Sequence, residues 1–172
     1  LGDVYKRQST NWLTYGEVLK LKMVESMVEV YYNSGQFWHT LEYLVPFEKD
    51  AFTFYEKLGS FYEKKGYSEI SHSRMRRYEI LLEYLQEETD VPTEVAAQKM
   101  LYDLYLREKL KKRPVFAPDQ KQYETAVWNY RKNNQVSKTA HIEVFENGTV
   151  ILFDYEKRDP LSNNAYTEVV QL

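Results

Sequence analysis

Apolar residues recur at helical spacing over most of this chain and at strand spacing near its end. Over residues 15–32, Val18, Leu21, Val24, Val28 and Tyr31 form one stripe, which Leu19, Met23 and Met27 widen. Thr14 with Glu17 three residues on reads as a capping box at the start of this helix. Asn33-Ser34-Gly35 reads as its stop. A second helix is expected over residues 36–45, ahead of Pro46. A third covers residues 51–65, with Phe54, Leu58, Phe61 and Tyr62 on its buried side and Gly66 closing it. Ser71 or Ser73 can cap a fourth over residues 74–87, striped by Tyr78, Leu81, Leu82 and Leu85. Thr89-Asp90-Val91-Pro92 breaks the chain. A fifth helix over residues 93–110 carries Ala97, Leu101, Leu104 and Tyr105. A sixth over residues 120–132 carries Tyr123, Val127 and Tyr130.

The period then changes to two. Residues 139–157 read as two strands joined at Asn147-Gly148, a pair that favours two-residue hairpin loops because both positions accept positive φ. Such a loop sets Phe145 opposite Val150, Ile142 opposite Phe153 and His141 opposite Asp154. One face then carries Ala140, Ile142, Val144, Ile151, Phe153 and Tyr155. Residues 158–165 read as a turn and residues 166–170 as a third strand. The expected fold class is mainly α: about six helices, bundle-like, over residues 14–133. A C-terminal β-hairpin or small three-stranded antiparallel sheet follows over residues 139–171. A hairpin alone is marginal, so this one must pack on the helices or on another domain. No internal repeat, and no linker long enough to argue for two domains, interrupts the pattern.

Composition adds one unusual feature. The 172 residues include 16 Tyr and 8 Phe against 6 Gly. Tyr has an apolar body and a polar tip, which suits the edge of a helical core or a docking surface. The net charge of −3 argues against general nucleic-acid binding. The basic run at residues 107–114 reads as a solvated helix end, where cations meet the negative end of the dipole. No stretch approaches the roughly 18 apolar residues of a membrane span.

The chain has no cysteine, which rules out disulfides, a thiol nucleophile and Cys-held zinc or iron–sulfur clusters within it. That usage fits a cytoplasmic setting, which is the expected localisation. His39, His72 and His141 lie far apart in sequence without HExxH spacing, so no metal site is expected. His141 opposite Asp154 is either an acid–base pair or a solvated cross-strand pair; no nucleophile stands beside it, and the solvated pair is expected. No catalytic, cofactor-binding or metal-binding residue is assigned. The docking candidates are Trp12, then Tyr31, Tyr32 and Asn33 at the first helix end, then Asp154, Arg158 and Asp159 at the strand exit. For the helix end the plainer alternative is capping, and for the strand exit a solvated turn.

The stretch at residues 11–44 is more specific. Trp12-Leu13-Thr14-Tyr15, Leu19-Lys20-Leu21-Lys22, Glu25-Ser26-Met27-Val28-Glu29 and Tyr31-Tyr32-Asn33-Ser34-Gly35-Gln36-Phe37 resemble the opening of a domain of unknown function, of the 4080 type. That domain follows the catalytic barrel of cobalamin-binding-domain radical S-adenosylmethionine proteins. The tail at residues 152–165 also resembles theirs. The resemblance implies that residues 9–172 are a C-terminal accessory domain. Its partners would be an N-terminal cobalamin-binding domain and a radical barrel of the same protein. A [4Fe–4S] cluster on CxxxCxxC, S-adenosylmethionine and cobalamin are implied for those parts only. An independent helical protein-interaction module is the alternative.

Residues 1–8 carry no helix pattern. Asp3 to Gln8 match the translation of GAT GTG TAT AAG AGA CAG, from a transposon mosaic end used in sequencing libraries. They are expected to be untrimmed adapter at the edge of a metagenomic fragment, not native protein.

Overall fold

A computed structural model describes residues 13–172. Trp12 and the adapter-like segment at residues 1–8 lie outside the described residues. Among the described residues, six α-helices precede a three-stranded antiparallel sheet, which is the expected fold class. The chain forms two compact units. The first holds the described residues up to Gly35 together with Leu41–Val91; the second holds Gln36–Thr40 and Pro92–Leu172.

In the first unit, α1 (Tyr15–Met27) starts from the expected capping box. The Thr14 hydroxyl accepts from the Glu17 amide at 3.2 Å, and the Glu17 carboxylate accepts from the Thr14 amide at 2.6 Å. The Thr14 amide, with the Thr14 hydroxyl adding to it, holds the Glu17 carboxyl below its ordinary range. The helix does not continue regularly to residue 32. It passes into a π-helical segment, Val28–Asn33, in which Tyr31 is buried and Tyr32 exposed. Helix α2 (Trp38–Leu44) runs on into a 3₁₀ turn, Val45–Phe47, that accommodates Pro46 in its first residues. The chain division falls within α2, whose first three residues belong to the second unit.

Helix α3 (Ala51–Lys65) is capped by Asp50, whose carboxylate accepts from the Thr53 amide at 2.7 Å. Gly66 ends it at φ 72°, a left-handed conformation that Gly adopts without steric cost. Helix α4 (Arg74–Glu88) takes Ser73 as its cap. Helices α1 and α3 pack closely because Gly59 faces Met23; a Cβ at residue 59 would come within 2.7 Å of Met23 Cγ. The core between the helices holds Tyr31, Phe54, Leu58, Tyr78, Leu81, Tyr84 and Leu85.

In the second unit, α5 (Thr93–Arg107) stops short of residue 110, where Glu108 turns extended. A 3₁₀ turn, Lys121–Tyr123, leads into α6 (Glu124–Asn133). Strands β1 (His141–Val144), β2 (Val150–Arg158) and β3 (Ala165–Val170) lie in that order across the sheet.

The β1–β2 register differs from the two-residue-loop expectation by one residue. Val144 pairs with Val150, Ile142 with Leu152 and His141 with Phe153, not with Asp154. The reason is in the turn. Gly148 alone takes a positive φ, 81°, while Asn147 does not, so a type I′ turn cannot form. A three-residue loop spans Glu146 to Gly148 instead. Its amide and carbonyl bonds are Phe145 N to Thr149 O and Gly148 N to Phe145 O, both at 2.9 Å.

A one-residue slip exchanges the partners on each face. The expected single apolar face is therefore corrected: both faces are apolar and both are covered. Ala140, Ile142, Val144, Val150, Leu152 and Val170 pack against Tyr123, Val127 and Tyr130 of the α6 region. Phe145 and Phe153 pack against Leu101, Tyr105 and Leu106 of α5.

Candidate functional site

The docking candidates separate into surface and interior. Tyr31 is fully buried; its hydroxyl lies 2.6 Å from that of Tyr62 and donates to the Arg77 carbonyl at 3.0 Å. Burial keeps the Tyr31 phenol well above its ordinary pKa. Tyr32 is exposed, and exposed Asn33 donates to Glu29 at 2.7 Å. Asp154 is partly buried and pairs with Lys157 at 3.4 Å. Arg158 donates to the carbonyls of Arg107 and Asn163. One Asp159 oxygen accepts from the amides of Leu161 and Ser162 and from the Ser162 hydroxyl. These bonds hold the Asp159 carboxyl below its ordinary range. Arg158 and Asp159 thus shape the β2–β3 connection. Trp12 lies outside the described residues.

The first unit presents an apolar surface on α1. Of residues 15–22, Val18 alone is buried, while Tyr15, Leu19 and Leu21 are exposed. Beside them runs a groove of about 490 Å³, lined by Leu19, Met23, Met27 and Val30 of the first helical segment and by Tyr62, Tyr67 and Ile70 opposite. A helix apolar on more than one side marks a surface suited to burial.

The second unit buries charge. Glu143, on β1, has no exposed surface. Arg113 grips it with two bonds, Nη1 to Oε2 at 2.7 Å and Nη2 to Oε1 at 2.8 Å. Arg113 also donates to the Pro118 carbonyl at 2.8 Å. Arg113 belongs to the basic run expected to be a solvated helix end; it is instead the partner of a buried carboxylate. His141 Nε2 donates to Glu143 Oε2 at 2.7 Å, and its ring stacks on Tyr105 at 3.8 Å between centroids. Burial pushes Glu143 up, but the bonds from His141 and Arg113 outweigh it and leave its carboxyl below the ordinary range. Burial lowers the His141 pKa, and the Glu143 contact only partly offsets it. Burial, with the Glu143 charge adding to it, raises the Tyr105 phenol to about 12. The His141–Asp154 pair is thus replaced by a His141–Glu143 pair on one strand, two residues apart and on one face.

A second histidine is held differently. Asp103, on α5, is 2% exposed. Its Oδ1 accepts from the His39 amide at 3.2 Å and contacts His39 Nδ1 at 2.7 Å. Its Oδ2 accepts from the Thr40 amide at 2.8 Å and the Thr40 hydroxyl at 2.7 Å. A carboxylate only accepts, so Nδ1 carries a hydrogen, and in the neutral ring Nε2 then holds the lone pair. The His39 side chain is 36% exposed and lines a cleft of about 550 Å³. Val95, Tyr102, Phe145 and Ile151 supply the cleft's apolar lining; Glu94, Lys99 and Glu146 supply its charges.

Sequence reasoning missed Asp103, Arg113 and Glu143. Glu143 sits between Ile142 and Val144 in an alternating strand, where a polar residue reads as facing water. Asp103 lies between Tyr102 and Leu104 at the apolar spacing of α5, and that was the one available signal.

Among the described residues no group of three or more His, Asp or Glu is placed to hold a metal ion, and no helix is long and apolar enough to cross a membrane. No curated protein and no solved structure matches the chain. A family described as protein of unknown function, DUF4080, matches residues 4–157, and the chain belongs to that family.

Proposed function

We propose that this chain is the C-terminal accessory domain of a cobalamin-binding radical S-adenosylmethionine enzyme, docked on that enzyme's catalytic barrel and contributing no chemistry of its own. One observation carries the docking: the exposed apolar side of α1, with Tyr15, Leu19 and Leu21 beside the methionine-lined groove. This surface lies within residues 11–44, the stretch that most resembles such proteins. Membership of the DUF4080 family supports the same reading.

The chain has no cysteine, so its residues do not fit a CxxxCxxC cluster site. Cluster, S-adenosylmethionine and cobalamin belong to the other domains in this reading. The accessory domain's contribution is to cover apolar barrel surface and keep water from a radical intermediate.

The gene sequence upstream of codon 9 tests the proposal. An open frame encoding CxxxCxxC is expected. A start codon immediately before codon 9 would overturn it in favour of an independent interaction module. In the full-length protein, the amides of residues 15–27 are expected to exchange more slowly than in this chain alone. Equal exchange would remove α1 as the docking surface.

A further inference from the structure

The cleft beside His39 lies entirely within the second unit, and the docking role makes no use of it. Its volume of about 550 Å³ falls in the range of small-molecule sites, on the order of 300–1,000 Å³. Its lining has the composition of such sites: an apolar wall with a few fixed polar groups. The fixed group is the His39 imidazole. Asp103 is buried and anchored by four donors from His39 and Thr40, so the neutral ring is held in one tautomer, with its hydrogen on Nδ1. Tyr102 packs edge-on against the ring at 4.7 Å and limits its rotation. In the neutral ring, Nε2 is thereby held at the apolar cleft as a hydrogen-bond acceptor.

The charges at the cleft do not select an anion. Glu94 and Glu146 stand against Lys99, and none of the three forms an ion pair among the described residues. Nε2 of the neutral ring offers one acceptor, and Val95, Tyr102, Phe145 and Ile151 offer apolar contact. We propose that this cleft binds a ring-sized apolar molecule that donates one hydrogen bond, from N–H or O–H, to His39 Nε2.

Matched pairs of probes test this on the 172-residue chain by nuclear magnetic resonance titration. Indole and 1-methylindole differ by the N–H donor; 1-naphthol and 1-methoxynaphthalene differ by the O–H donor. In at least one pair, the donor-bearing member is expected to bind about 3- to 10-fold more tightly, the worth of one net hydrogen bond. The stronger pair identifies the donor type. Amide shifts are expected at Gln98, Tyr102, Glu146 and Thr149, which border the cleft. The His39 Nε2 resonance should move with the donor and not with its methylated partner, a readout that requires no substitution. In His39→Leu the preference should vanish while both members still bind. Equal affinities within both pairs, shifts away from the cleft, no binding, or a preference that survives His39→Leu would each overturn the proposal.

Discussion

The two units solve the burial of polar groups in opposite ways. The first buries neutral hydroxyls: Tyr31 and Tyr62 bond each other, and Tyr31 bonds the Arg77 carbonyl. The second buries charge: Glu143 between Arg113 and His141, and Asp103 under His39 and Thr40. A neutral hydroxyl left without its partner costs one hydrogen bond. A buried carboxylate left without its partner is an uncompensated charge and costs far more. Mutational sensitivity and acid sensitivity should therefore concentrate in the second unit.

The largest expected effect comes from Arg113→Met, which leaves Glu143 buried with His141 as its one remaining side-chain partner. Breaking a buried pair in this way costs about 3–5 kcal/mol, and the lower end is expected because the Arg113 side chain is 36% exposed. Urea unfolding measures the loss. A loss under about 1 kcal/mol would erase the contrast between the units. Tyr31→Phe should cost less, about 1 kcal/mol, by removing one bond to a carbonyl and one to Tyr62. A loss as large as that of Arg113→Met would show that the hydroxyl pair matters as much as the charges.

The smallest expected effect is in pH dependence. The folded chain holds the His141 imidazole below its ordinary value, so the unfolded chain binds more protons as pH falls through about 6.5. Stability from this group is present above that pH and is lost below it. Glu143, whose carboxyl is also held low, adds a loss of the same sign below about pH 4.5. The buried hydroxyls of Tyr31 and Tyr62 have raised values, so their contribution is lost only as pH rises above about 10. His141→Phe keeps a ring on Tyr105 and should flatten the decline in stability between about pH 7 and 5. An unchanged slope would place that titration in another group.

Much of the first unit was legible in sequence. Thr14 with Glu17, Ser73 and Gly66 act through bonds to neighbours a few residues away, and local chemistry of that range is written in local sequence. The helix from Ala51 to Lys65 matches its expected bounds for that reason. The π-helical segment was not legible, because Val28–Asn33 has ordinary helical spacing in sequence.

The second unit was legible as elements and illegible as a site. Asn147-Gly148 marked the hairpin, yet the residue pair permits more than one loop, and the sheet's contacts on both faces accompany the three-residue one. Asp103 and His39 lie 64 residues apart, and Arg113 and Glu143 lie 30 apart. No periodicity links residues at such separations.

The sequence by itself determined the helix and strand order, the caps and the absence of thiol chemistry. These follow from backbone preferences and residue identity within a few positions. Only the tertiary structure decided the strand register, the burial of Glu143 and Asp103, and the contact of His39 with Asp103. Each of these depends on which distant groups meet in a space closed to water, where a hydrogen bond or a charge gains or costs much more than it does in solution.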